Sequence, residues 1–178
     1  MSVHLEKERK FLVKFPTSWS VLSELFDNLI DVKRIHQTYL RAEGDEPSAR
    51  VRKTVEGLAD ETETIYHFNQ KEPVETGVHK EKEHEITKAQ YEKYLKKAHP
   101  NKVEVAKTRF VFDYNDQTFE LDVFKGPLKG LAILEIELNS IENMIELPSY
   151  LKVIKEVTDE KRFTNYALAD IKQNKKSA

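Results

Sequence analysis

The stretch that decides the fold is His4-Leu5-Glu6-Lys7-Glu8-Arg9-Lys10-Phe11-Leu12-Val13, near the start of the chain. Successive side chains of a β-strand point to opposite faces of a sheet. A strand here would therefore place Glu6, Glu8 and Lys10 together on one face. The opposite face would carry the apolar residues Leu5, Phe11 and Val13. Such a strand either lines a polar interior or turns its charged face to bulk solvent. The pattern of the other strands distinguishes these two cases.

The composition is that of a single domain with abundant but balanced charge. The chain has 178 residues, which is long enough for one domain with a sizeable core, and we expect that domain over residues 1–174 with a disordered tail over 175–178. Charged residues make up 34% of the chain, well above the usual share, yet the formal net charge is only −2. This balance argues against a nucleic-acid partner, which would require a clear basic excess.

The chain contains no cysteine. Disulfides, zinc–thiolate sites and thiol nucleophiles are therefore excluded, and any metal must be bound by oxygen or imidazole. The N-terminus lacks a signal-peptide pattern, and no apolar run approaches membrane-spanning length. We therefore expect a cytoplasmic protein with no membrane partner.

Alternating patterns predict eight strands joined by turns, with helices early and late in the chain. After the first strand, the predicted strands cover residues 33–41, 49–54, 62–71, 78–86, 103–114, 118–124 and 131–138. Helical spacing predicts helices over 19–29 and 88–98, and short helices from 141 to 174. Residues 44–47 form a predicted turn, and Pro73 is expected to end the fourth strand. Strands connected in this way favour an antiparallel sheet over βαβ units.

The charges of the predicted strands fall in pairs two residues apart, so that each pair shares a face. Acidic and basic pairs lie on different strands. Beyond the first strand, the charges on these faces are Arg50, Arg52, Lys71, Glu81, Glu83, Glu85, Lys107, Arg109, Glu120, Asp122, Glu135 and Glu137. One such pair is expected on any sheet with a solvated face, but the same pattern on six of the eight predicted strands favours a shared lumen.

The predicted fold class is therefore α+β, mainly β: an eight-stranded antiparallel closed β-barrel with helices packed outside. In its lumen, basic strands could bind polyanionic oxygens, and acidic strands could hold a hard divalent cation. Phosphate chains require both. The histidines show no metal-ligand spacing and are interpreted as polar surface or lumen residues. Tyr39 shares the polar face of its strand with Gln37, which leaves open whether its hydroxyl lies near a substrate.

These residues resemble the CYTH superfamily, also called triphosphate tunnel metalloenzymes, and in particular its bacterial tripolyphosphatase-like branch. The first strand fits the family signature Glu-x-Glu-x-Lys and continues with Phe-Leu-Val, as in bacterial members. Further matches are Arg50-Val51-Arg52, Lys71, Glu83-His84-Glu85, Lys107-Thr108-Arg109, Glu120-Leu121-Asp122, Glu135-Ile136-Glu137 and residues 157–163. One departure lies in the fifth strand, where members often have an arginine shortly before Glu-x-Glu and this chain has Glu81.

The resemblance implies a tunnel that binds a triphosphate and one or two Mg²⁺ or Mn²⁺ ions. The implied metal ligands are Asp122, Glu135 and Glu137, with Glu6 and Glu8 for a second metal or its waters, and the fifth-strand pair Glu83 and Glu85. The implied phosphate-binding residues are Lys10, Arg50, Arg52, Lys71, Lys107 and Arg109, with Lys161 and Arg162 closing the tunnel. The family also tends to form dimers, so the resemblance implies a homodimer.

The expected reaction is hydrolysis of inorganic tripolyphosphate to pyrophosphate and phosphate, by in-line attack of water on a terminal phosphorus. Lys107 is the candidate for activating the water, because the like charges of Arg109 and Lys10 would disfavour its charged form. Lys10 and Tyr39 are the other candidate catalytic residues. The alternatives are a nucleoside or thiamine triphosphatase, a class IV adenylyl cyclase and a non-catalytic polyphosphate-binding module. The intact acidic pairs speak against the last of these.

Overall fold

The structure is a computed structural model that describes residues 2–41, 49–57, 62–76, 78–140 and 142–170. The predicted turn at 44–47 and the predicted tail at 175–178 lie outside these ranges.

Nine strands form one antiparallel sheet in the described part of the chain. They are β1 (Ser2–Lys14), β2 (Leu29–Tyr39), β3 (Ala49–Glu56), β4 (Glu63–Glu75), β5 (Val78–Glu85), β6 (Val105–Tyr114), β7 (Gln117–Phe124), β8 (Ala132–Glu137) and β9 (Lys152–Glu156). The order is β5-β4-β3-β2-β6-β7-β8-β1-β9, and β1 also pairs with β5. This additional pairing closes β1 to β8 into a ring, so the predicted eight-stranded closed antiparallel barrel is confirmed.

The ninth strand corrects the prediction of only short helices after residue 141. The first residue of β5, Val78, pairs with Lys7, so β5 leaves the later half of β1 uncovered. There β9 takes over, pairing Glu156 with Phe11 and continuing to Lys14. This pairing satisfies backbone groups that an open edge would leave without partners. The sequence did not reveal β9 because four of its five residues are exposed and no buried face imposes an apolar alternation.

The prediction that Pro73 ends the fourth strand is also wrong. β4 continues through this proline, and its register with β5 shifts between Pro73 and Glu75. A proline cannot donate a backbone hydrogen bond to a neighbouring strand, and an irregular strand end tolerates that loss.

Helices cover the outside of the barrel, as predicted. They are α1 (Trp19–Asp27), α2 (Lys88–Leu95) and the short α3 (Asn165–Leu168). A capping box between Thr87 and Gln90 starts α2, and Tyr91 packs beside Val51 of β3. None of the helices in the described ranges has the length and apolar character needed to cross a membrane.

The apolar face of β1 points outward into the main core, which leaves its charged face for the lumen. Phe11 and Val13 are buried there together with Leu25 of α1. The rings of Phe112 and Phe119 stack nearby, with centroids 5.9 Å apart. Packing in this core therefore fixes the orientation of β1, β6, β7 and β8.

Replacing Phe119 by alanine is expected to lower the free energy of unfolding by about 3–5 kcal/mol, because a fully buried ring leaves a cavity behind. Chemical denaturation measures this change. Trp19→Ala is the matched control, since Trp19 is 76% exposed and its loss leaves no cavity. Equal destabilisation by the two substitutions would contradict the position assigned to this core.

Candidate functional site

The inward faces of the strands surround two adjoining cavities. The inner cavity has a volume of about 160 Å³ and is lined mainly by charged side chains. The outer cavity, of about 540 Å³, lies between one end of the barrel and residues 157–167 of the C-terminal segment. The residues that line both are Glu8, Lys10, Arg50, Lys71 and Asn165. We call the larger space the mouth cavity.

The ammonium group of Lys10 bridges two carboxylates at the boundary between the cavities. Its Nζ atom lies 3.1 Å from Oε1 of Glu8 and 3.0 Å from Oε1 of Glu135. Burial opposes the charge on Lys10, but Glu135 and Glu8 outweigh burial and raise its pKa. Lys10 is therefore a fixed cation. Such a group is better suited to bind a phosphate than to accept a proton.

Arg109 connects three acidic residues deeper in the barrel. Its guanidinium donates from Nε and Nη2 to the carboxylate of Asp122, both at 2.7 Å, and from Nη2 to Oε2 of Glu135, also at 2.7 Å. It also donates to Glu120. Burial alone would raise the pKa of Glu135, but Lys10, Lys107 and Arg109 hold that pKa well below its usual range. Glu135 is therefore a carboxylate at neutral pH.

Lys107 is buried beside Arg109, and its ammonium group is paired with Asp122. Burial lowers the pKa of Lys107, Asp122 offsets part of this effect, and Arg109 lowers the pKa further. The lowered pKa of Lys107 agrees with the expectation from the sequence. The cause differs, because burial in the barrel wall outweighs the repulsion between like charges.

A second group of carboxylates lies on the N-terminal half of β1. Lys71 Nζ donates to Oε1 of Glu8 at 3.0 Å and is also paired with Glu6. The imidazole of His79 approaches the same carboxylate, with Nδ1 3.6 Å from Oε1 of Glu8. Ligand atoms of Glu6, Glu8 and His79 all lie within 4.8 Å of one another. Two carboxylates and an imidazole form a donor set that fits a divalent cation such as Mn²⁺.

His79 lies beside the carboxylates of β1, a neighbourhood that the spacing of the histidines along the chain did not indicate. Burial, followed by the charge of Lys71, lowers the pKa of His79 and keeps a nitrogen lone pair available. The residue reaches Glu6 because β5 pairs with β1, which places His79 directly opposite Glu6. No spacing along the chain could have revealed this neighbour, since the two residues belong to different strands.

The two arginines of β3 are paired with the acids of β5. Arg50 Nη2 lies 3.1 Å from Oε1 of Glu81, and Arg52 Nη1 lies 3.6 Å from Oε2 of Glu83. Asn69, fully buried between them, donates hydrogen bonds to both carboxylates. Burial and the nearby charge of Arg50 lower the pKa of Arg52.

The remaining predicted residues lie at the edges of the site. Tyr39 is buried, lines the mouth cavity and accepts a hydrogen bond of 2.9 Å from Gln37. Lys161 also lines the mouth cavity, whereas Arg162 is exposed and donates to Glu160. Glu137 lines the inner cavity, and Glu85 is exposed. The lumen residues that sequence reasoning did not single out for the site are His79, Gln37, Asn69 and Asn165. Only Asn165 comes from the C-terminal segment, whose path over the mouth cavity no strand pattern predicts.

The fold and site together define a closed antiparallel barrel with a lumen of interleaved carboxylates, ammonium groups and guanidinium groups. The chain belongs to the CYTH domain family, whose family model matches residues 4–163. The structure is similar to that of the inorganic triphosphatase NE1496, with 32% sequence identity and a TM-score of 0.57 over 92% of this chain and 97% of that chain.

Two more distant structures share the fold. One is a putative adenylyl cyclase from Hippeastrum, HpAC1, which has a dominant triphosphatase activity. It is 15% identical with a TM-score of 0.52, over 77% of this chain and 81% of that chain. The other is a putative adenylate cyclase from Bacillus halodurans, 17% identical with a TM-score of 0.50, over 80% and 84%. No curated protein sequence matches the chain.

Proposed function

We propose that this protein hydrolyses a triphosphate, with inorganic tripolyphosphate as the preferred substrate and pyrophosphate and phosphate as products. One observation carries the proposal: in the described part of the chain, six basic side chains line the inner cavity, and each is paired with a carboxylate of the same lumen. These basic residues are Lys10, Arg50, Arg52, Lys71, Lys107 and Arg109. The inorganic triphosphatase NE1496, 32% identical, supports the same activity.

In such a lumen, a bound ligand can replace the protein carboxylates as the ion-pair partners of lysine and arginine. Buried charges are costly unless they are paired, so the free protein keeps its lumen cations and anions in contact with one another. A triphosphate supplies several anionic oxygens in a row, which can replace the carboxylates as partners of lysine and arginine. The released carboxylates then need cations. The arrangement therefore favours a ligand that brings a polyanion and a divalent cation together.

Two groups of residues would hold Mg²⁺ or Mn²⁺. The first group is Asp122, Glu135 and Glu137, and the second is Glu6 and Glu8 with His79. When bound, the metal would neutralise phosphate charge and make the phosphorus more susceptible to attack. The carboxylates suit either ion, and the imidazole adds a donor that Mn²⁺ accepts more readily than Mg²⁺.

The side chains of the chain itself orient the substrate and the water. Lys10 and Lys71 sit at the boundary of the two cavities and would bind the phosphate nearest the mouth cavity. Arg109 would bind oxygens deeper in the lumen, where its fork matches a phosphate. Lys107 lies beside Arg109, and burial favours its neutral form. It is therefore our candidate for accepting the proton of the attacking water.

A second candidate function is hydrolysis of a triphosphate that carries an organic group. The observation that favours it is the mouth cavity, whose lining includes Val157, Phe163 and Tyr166. Its volume of about 540 Å³ is in the range of cavities that bind small organic molecules. A nucleoside or thiamine moiety would occupy this space while the phosphates lie in the inner cavity.

Phosphate release from a panel of triphosphates tests both candidates. The panel consists of tripolyphosphate, ATP, GTP and thiamine triphosphate, each with Mg²⁺, Mn²⁺ or a chelator. We expect the highest kcat/KM with tripolyphosphate and no release with the chelator. A higher kcat/KM for one of the organic triphosphates would favour the second candidate. No release from any of them with metal would refute the hydrolase proposal, and cyclic AMP from ATP would indicate a cyclase.

His79→Gln is expected to weaken Mn²⁺ binding by about tenfold and Mg²⁺ binding much less, because imidazole contributes more to the binding of Mn²⁺ than of Mg²⁺. Isothermal titration calorimetry in the absence of substrate measures both affinities. His36→Gln, a change of an exposed histidine paired with Glu104, is the control. An equal loss for the two metals would exclude His79 as a direct ligand.

A further inference from the structure

Arg50, a candidate for binding phosphate, is already paired with the carboxylate of Glu81. Glu81 belongs to neither of the two groups that would hold metal. Arg50 and Glu81 are 7% and 6% exposed, and Nη2 of Arg50 lies 3.1 Å from Oε1 of Glu81. Both residues line the inner cavity. Nε of Arg50 is buried and has no hydrogen-bond partner in the described part of the chain. The guanidinium is therefore paired with Glu81 through Nη2, and, against the effect of burial, Tyr39 is a second neighbour that raises the pKa of Arg50.

Asn69 fixes the carboxylate of Glu81 in this position. Its Nδ2 atom donates to Oε1 of Glu81 and, at 3.1 Å, to Oε2 of Glu83. Asn69 is fully buried and pairs directly with Arg50 on one side and Glu83 on the other. A carboxylate held by a buried amide loses little freedom when it binds a guanidinium, so it is a strong local competitor for that group.

We infer that Glu81 is an affinity-determining residue that competes with phosphate for Arg50. The inference rests on the proposed function and deepens it. A phosphate that binds Arg50 must replace Glu81 at Nη2 and then lies next to the displaced carboxylate, a like charge in a closed lumen. Glu81 therefore weakens the binding of the triphosphate and of every product that keeps a phosphate at Arg50. Weaker binding of the product favours its release.

The test is the substitution Glu81→Gln, which keeps the shape of the side chain and removes its charge. We expect E81Q to bind tripolyphosphate and pyrophosphate about tenfold more tightly than the wild type does, in titration calorimetry without metal. The free variant should have a lower Tm, because Arg50 loses its charged partner, and tripolyphosphate should raise that Tm by more than it raises the wild-type value.

Glu92→Gln is the matched control, since Glu92 lies on the exposed face of α2 and the substitution changes the net charge equally. Tighter binding of tripolyphosphate by E81Q than by E92Q supports the inference, and equal or weaker binding of tripolyphosphate by E81Q overturns it. If E81Q does not fold, Glu81→Asp provides the same test. Its shorter side chain withdraws the carboxylate from Arg50, so the affinity should again rise, and an unchanged affinity overturns the inference.

The wild-type protein separates this inference from the proposed function. If the wild type neither binds nor hydrolyses tripolyphosphate, both fail. If the wild type binds tripolyphosphate and E81Q does not bind it more tightly, only the role of Glu81 fails.

Discussion

Replacing Lys107 by alanine is expected to lower kcat for tripolyphosphate by about 10²–10⁴-fold, with a much smaller change in KM. Lys107 is buried against Asp122 and Arg109, and burial favours its neutral form, which can accept a proton. Arg109 keeps its own bonds to Asp122 and Glu135 in the variant, so the other five basic residues of the inner cavity still bind phosphate. Steady-state kinetics at saturating metal measure both parameters.

Lys107→Arg separates proton transfer from charge pairing. Arginine keeps a positive charge next to Asp122 but does not deprotonate in proteins. We therefore expect the arginine variant to be nearly as inactive as the alanine variant. Lys129→Ala, at an exposed turn, is the control and should leave kcat unchanged. Recovery of kcat in the arginine variant would show that Lys107 acts only as a counter-ion, and an unchanged kcat in the alanine variant would remove it from the reaction.

Replacing Glu135 by glutamine is expected to lower the stability of the metal-free protein, its metal affinity and its activity. Glu135 pairs with Lys10 at 3.0 Å and with Arg109 at 2.7 Å, and it is also a proposed metal ligand. Lys10 and Arg109 are partly buried and each keeps another carboxylate partner, so the metal-free protein should lose about 1–3 kcal/mol of unfolding free energy. Metal affinity should fall by about 10²-fold, and the metal-dependent activity should fall with it.

Two measurements check the Glu135 prediction independently of activity. Denaturant unfolding in the presence of a chelator gives the change in stability, and Mn²⁺ titration of the folded variant gives the change in affinity. Glu142→Gln, at an exposed position, is the control for the loss of one negative charge. Wild-type Mn²⁺ affinity in the Glu135 variant would contradict its place among the metal ligands.

The closed barrel could be predicted because alternation is a local property of each strand. In β1, β7 and β8 the face opposite the charges is apolar, and burial of Phe11, Leu121 and Leu134 outside the barrel forces the charges of these strands inward. β9 could not be predicted in this way. It is held by backbone pairing to β1 and has no buried face of its own.

The composition of the candidate site was also readable from the sequence, but the partners of its side chains were not. The sequence placed Lys107 beside Arg109 on one strand, whereas its actual partner is Asp122 on the neighbouring strand. In the same way, His79 joins Glu6 only through the closure of β1 on β5. Contacts across strands depend on register, and turns and barrel closure set that register far along the chain.

The central claim is that the charged lumen splits a triphosphate. ³¹P NMR of tripolyphosphate incubated with the wild-type protein and Mg²⁺ or Mn²⁺ tests this claim most directly. We predict equal amounts of pyrophosphate and phosphate, formed at the same rate and only with metal present. An unchanged tripolyphosphate spectrum with either metal, under conditions in which the protein remains folded, would contradict the claim.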